Sequence, residues 1–126
     1  MDIPITPAQA RTALVTVRTG LGVSSLLAPR LTGKLFGIDA GENPAAVYLA
    51  RLFGARELFM AAPFFLEDAE ELQAFALQAG VAVDGADVVA ATAACARGNL
   101  RIRAATLAAL TAAAAVALGV IAQQDD

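Results

Sequence analysis

Residues 104–122 read AATLAALTAAAAVALGVIA, nineteen consecutive positions without a charge, preceded by Arg101 and Arg103 and followed by Gln123, Gln124, Asp125 and Asp126. As a helix rising 1.5 Å per residue the segment is about 28 Å long, close to the ~30 Å hydrocarbon core of a bilayer. The alternative is a central helix enclosed on all sides by a soluble domain. A chain of 126 residues leaves too much of its surface exposed to wrap one comfortably. This stretch therefore predicts a membrane-spanning helix, and the rest of the chain is read against that expectation.

Three further segments have similar length but carry charges. They run from about residue 7 to 27, 44 to 66 and 70 to 96, and the uncharged segment with its flank occupies about 101 to 122. Pro7 suits a first helical turn, where its missing N–H is no loss. Asn43 before Pro44 is a helix-start signal, Pro63 is expected to bend the second segment near its end, and Gly98-Asn99 ends the third. The expected fold is a single all-α domain over residues 1–126, an integral membrane four-helix bundle.

The intervening loops differ in charge. The first holds Arg30, Lys34, Asp39 and Glu42; the second, Glu67, Asp68, Glu70 and Glu71; the third, Arg97, Arg101 and Arg103. The positive-inside rule puts the first and third loops in the cytoplasm and both termini on the non-cytoplasmic side. The opening MDIPITPAQA lacks the basic start and early apolar run of a cleaved signal. The expected location is the cell inner membrane, crossed several times, with the lipid bilayer as the first partner.

Composition removes several functions. Hydrophobic types make up 58% of the chain and charged types 17%, the mean hydropathy is +0.63, and thirty-two residues are alanine. With no histidine and one cysteine, Cys95, a histidine-dependent triad, a histidine metal site, a four-cysteine zinc site and an internal disulfide are all impossible within the chain. No metal and no cofactor is expected. Nine basic residues against twelve acidic ones give no electrostatic basis for a nucleic-acid partner.

Six ionisable residues fall well inside the expected spans: Arg18, Arg51, Arg56, Glu57, Asp84 and Asp87. They are three arginines and three carboxylates, so they balance. Each would cost about 2.5–3.5 kcal/mol or more facing lipid near a helix centre, so they are expected to face one another, water or a ligand. Asp84 and Asp87 share a helix face, which Gly80 extends. Arg18, Gly22 and Ser25 share another, and a guanidinium fork matches carboxylates in shape and charge. Arg56 and Glu57 are adjacent in the middle of the second segment, while Arg51 lies about 140° from Arg56 and reaches toward the membrane surface. Two carboxylates on one face resist joint ionisation, so one is expected to retain a proton.

Arg51, Gly54, Arg56 and Glu57 in YLARLFGARELFMAA, with Asp84 and Asp87 in VDGADVVAA, give the chain a resemblance to small bacterial four-span proteins grouped as domain of unknown function 4267. The resemblance covers the second and third segments and implies an integral membrane bundle. It carries over no catalytic role.

The residues themselves support three functions. One is a membrane-embedded acid–base enzyme of the isomerase, cyclase or epoxide-opening type, acting on a lipophilic small molecule. Asp84 and Asp87 would be proton donor and carboxylate, Glu57 a further base, and Arg18 and Arg56 the orienting cations. Tyr48, Arg51, Ser25 and Gly22 would line its substrate site. A second is a small transporter or channel subunit; four short spans make a thin wall, so a homo-oligomer is expected there. The third is a structural or regulatory subunit of a membrane complex, in which the buried ions only fix helix register.

Overall fold

The computed structural model describes residues 4–125. Met1 to Ile3, part of the opening read as lacking a signal, and Asp126, the last acidic residue, lie outside the described residues. The described chain is all-α. Five α-helices follow in order: α1 (Pro7–Leu27), α2 (Pro29–Leu35), α3 (Ala45–Ala61), α4 (Glu70–Ala96) and α5 (Ile102–Ala122), with a 3-10 turn over Ala62–Phe65. The first, third and fourth long segments fall within a residue of their expected limits.

Two elements differ from expectation. The first loop is not all loop, because Pro29 begins the seven-residue helix α2. A proline at the first helical position is pre-set for the turn, and Pro29 and Thr32 are buried beneath it. The second long segment stops at Ala61 and tightens into the 3-10 turn. Pro63 has no N–H to continue the ladder, and its ring conflicts with the carbonyl four residues back. At the starts of the helices, α1 is capped by Thr6, whose hydroxyl accepts from the Gln9 N–H while the Gln9 side chain accepts from the Thr6 N–H. This reciprocal box satisfies two orphan donors. Asn43 does not cap α3 with its side chain; Pro44 holds the cap position.

Helix α1 packs against α3 on one side and α5 on the other, and α5 packs along α4. Helices α3 and α4 scarcely touch. The interior is layered along the bundle. At the end holding both termini, Ala10, Leu14, Leu77 and Ala122 form an apolar plug with Phe64, Leu118 and Ile121 around it. A charged layer follows halfway down. Toward the opposite end α1 and α3 cross at two glycines: a Cβ on Gly22 would lie 2.6 Å from Leu58 Cγ, and one on Gly54 would lie 2.8 Å from the Gly22 carbonyl oxygen. Small residues at a crossing let membrane helices approach this closely.

Burial is partly inverted relative to a water-soluble domain, with three charged side chains inside beside an apolar core and many large apolar side chains outside. Arg18, Glu57 and Asp84 are each 3% exposed, whereas Phe59 is 83%, Leu27 81% and Ile102 76% exposed. Helices α4 and α5 are both long and apolar enough to cross a membrane, and only 17% and 22% of their most apolar stretches are buried within the chain. A core helix of a soluble protein would be mostly covered; these are not.

Candidate functional site

The charged layer is a ladder of five side chains from three helices. Arg18 reaches from α1 to both α3 and α4. Its Nη1 donates to Glu57 Oε2 at 3.0 Å, and its Nη2 donates to Asp84 Oδ2 at 2.6 Å. A weaker contact joins Nη1 to Asp84 Oδ1 at 3.4 Å. Arg56 on α3 forms a two-bond fork with Asp87 on α4, Nη1 to Oδ1 at 3.1 Å and Nη2 to Oδ2 at 2.6 Å. Glu57 joins the two halves, with its Oε1 3.5 Å from Arg56 Nη2. The order across the bundle is Asp84, Arg18, Glu57, Arg56, Asp87.

Local helix geometry explains this arrangement. Arg56 and Glu57 are neighbours, so they leave α3 about 100° apart: Glu57 turns inward and is buried, and Arg56 turns toward α4. Asp84 and Asp87 are one turn apart on α4, at the levels of Arg18 and Arg56 respectively. Gly80 makes room for Arg18, since a Cβ there would lie 2.6 Å from Arg18 Nη2. The Arg56 guanidinium also sits 5.0 Å from the centre of the Phe53 ring, a cation–π distance. Among the described residues three buried side-chain polar atoms have no hydrogen-bond partner: Thr19 Oγ1, next to Arg18 in sequence, Ser25 Oγ, at the glycine crossing, and Arg56 Nε.

The structure unites Arg18, Arg56, Glu57, Asp84 and Asp87, and it partitions them differently from the expected pairing. The Arg18 fork does not hold both aspartates. It holds Asp84 and Glu57, while Asp87 belongs to Arg56. Asp84 and Asp87 share a face of α4, and each has its own guanidinium. Glu57, read as a spare base, is the bridge of the ladder. Gly22 and Ser25 are buried at the α1–α3 crossing, on the Arg18 side of α1, and the Ser25 hydroxyl makes no hydrogen bond to the ions. Tyr48 is 66% exposed on α3, and Arg51 is also exposed, so neither enters the ladder. Phe53 is the one contributor that sequence reasoning missed; its position three residues before Arg56 on the same helix was the available signal.

Two surface depressions lie elsewhere. A groove of about 420 Å³ runs past Arg11, Thr16, Thr19, Phe64 and Gln73, and a more open one of about 740 Å³ surrounds Glu70 and Phe75 at the start of α4. Neither includes a member of the ladder. Among the described residues no three carboxylate or cysteine side chains come together as a metal site. Comparison with protein-family models, with curated proteins and with solved structures found no match to the chain.

Proposed function

We propose that this chain is a four-span integral protein of the bacterial inner membrane, with both termini outside, acting as a structural or regulatory subunit of a membrane assembly. The four spans are α1, α3 with its 3-10 extension, α4 and α5, and α2 lies along the cytoplasmic surface with Arg30 and Lys34 at the headgroups. The partly inverted burial supports the membrane setting, because charges inside and leucines outside suit a lipid solvent. The exposed contact of Arg101 with Glu42 at 3.2 Å joins the first and third loops on one side of the bundle, as four alternating spans require.

The observation that carries the subunit reading is the pairing itself. Every carboxylate of the ladder is held by an arginine, and neither depression touches Asp84 or Asp87. An acid–base enzyme acting on a lipophilic molecule calls for a pocket walled by both aspartates. A buried ion network that only fixes helix register needs no pocket.

The two parts of the proposal have separate tests. For topology, single cysteines are placed at Asp68 or Asn99 in a Cys95→Ala background and treated with a membrane-impermeant maleimide in whole cells. Asp68→Cys is expected to label at once and Asn99→Cys only after permeabilisation; the reverse order would overturn the orientation. For role, a residue kept for chemistry is replaced at little loss of stability, or even a gain, whereas one kept for packing is not. Asp84→Asn is expected to lose about 3 kcal/mol, since it leaves Arg18 short of a buried counter-charge. Stability equal to the parent in mixed micelles would argue for chemistry instead.

A further inference from the structure

Two members of the ladder are incompletely covered by their own chain. The Arg56 and Asp87 side chains are 36% and 32% exposed, against 4% for Arg18, Glu57 and Asp84. Arg56 lies about 16 Å along α3 from its start, and Asp87 about 14 Å from the end of α4, so both sit near mid-bilayer in the four-span reading. At that depth water cannot finish the solvation of an ion pair, and acyl chains offer nothing in its place. The pair also occupies the seam where α3 and α4 barely pack.

We propose that a second copy of this chain covers the α3–α4 seam, placed so that Arg56 of each copy faces Asp87 of the other. Charge geometry selects this occupant. Arg56 and Asp87 stand side by side at one depth on neighbouring helices. A two-fold axis along the membrane normal reverses their left–right order, so facing pairs meet positive to negative twice. The surface is thus complementary to itself, as a two-fold interface requires. The flanks suit close contact. Leu49 and Leu52 precede Arg56 by seven and four residues on its face of α3 and are 57% and 50% exposed, while Val83 and Ala90 flank Asp87 on α4. Leucines of one copy then meet the smaller α4 side chains of the other. The outer face of α5, with Leu110 63% and Val120 48% exposed, carries no charge beyond Arg103 at its start and is at ease in lipid.

The inference rests on the membrane-spanning reading, and its test separates the two. Leu52 and Ala90 lie on the same side of the charged layer, each about one turn from it. Two tagged forms of the full chain, both Cys95→Ala, one with Leu52→Cys and the other with Ala90→Cys, are co-expressed and oxidised in native membranes. A disulfide between the two forms is expected, because a bond joining them is necessarily intermolecular. Arg56→Gln with Asp87→Asn in both forms is expected to reduce it at least about tenfold, equivalent to ~1.4 kcal/mol. Neutralisation could also loosen the bundle, so a second pair guards the result. Arg56→Asp in one form and Asp87→Arg in the other keep opposite charges facing each other, whereas Arg56→Asp in both forms sets acid against acid, and cross-linking between the two cysteine forms is expected to be several-fold greater in the first combination. A membrane-held protein that fails to cross-link, cross-links regardless of these charges, or cross-links instead through Leu110→Cys on α5 would overturn the dimer alone. Recovery as a folded protein without detergent would overturn the membrane reading as well.

Discussion

Replacing Arg18 by methionine is expected to destabilise the protein by about 3–5 kcal/mol, the usual consequence of stripping one partner from a buried ion network. Methionine keeps most of the side-chain volume, so the loss is chiefly electrostatic. Of the two buried carboxylates, each 3% exposed, Glu57 would keep only its 3.5 Å contact with Arg56 and Asp84 would lose its ion-pair partner. Adding Glu57→Gln and Asp84→Asn to Arg18→Met is expected to restore most of the loss, because neutral partners no longer require a counter-charge. Arg18→Lys should fall between, since an ammonium cannot reproduce a fork that binds carboxylates on two helices at once. Equilibrium unfolding in mixed micelles measures all three. A loss under about 1 kcal/mol for Arg18→Met would mean that the ladder is not what holds α1, α3 and α4 in register.

The second large effect is steric. Gly54→Leu is expected to cost about 1–3 kcal/mol or more, because its Cβ alone would lie 2.8 Å from the Gly22 carbonyl oxygen and 3.0 Å from Ser25 Cβ. A backbone oxygen cannot rotate away as a side chain can, so α1 and α3 would have to separate. Gly20→Ala is the opposing control. Nothing lies within 4 Å of a Cβ there, so the helix should gain about 0.5–1 kcal/mol from the lost backbone freedom. The same unfolding measurement applies, and equal tolerance at both positions would deny the close crossing.

The helices and the membership of the charged cluster were legible because each rests on local signals. Proline positions, Gly98 and the uncharged run from Ala104 set α1, α4 and α5 to within a residue. The expense of charge at membrane depth was enough to gather Arg18, Arg56, Glu57, Asp84 and Asp87. Which arginine takes which carboxylate was not legible. Periodicity places side chains on a face but does not say how α1, α3 and α4 stand around a common point. Pairing here depends on relative depth and on the hollow at Gly80. The resting places of Tyr48 and Arg51 turned on the same unknown, the rotation of α3 about its own axis. Helix α2 was missed for another reason: at seven residues it is too short for hydrophobic periodicity to declare itself.

The ladder also bears on how the chain is made. Arg18 emerges from the ribosome sixty-six residues ahead of Asp84, and Glu57 comes thirty-nine residues after it. In the proposed four-span arrangement, α1 would during that interval be a hydrophobic segment with an unmatched guanidinium at its middle, poorly suited to rest in lipid by itself. Its settlement must await later segments, first α3 and then α4. In the same arrangement α5, uncharged from Ala104 onward, would be the helix best able to enter the bilayer without help. On that proposal biogenesis would be back-loaded: the earliest helix is the most dependent, and a chain truncated before residue 84 lacks the carboxylate that pairs with Arg18.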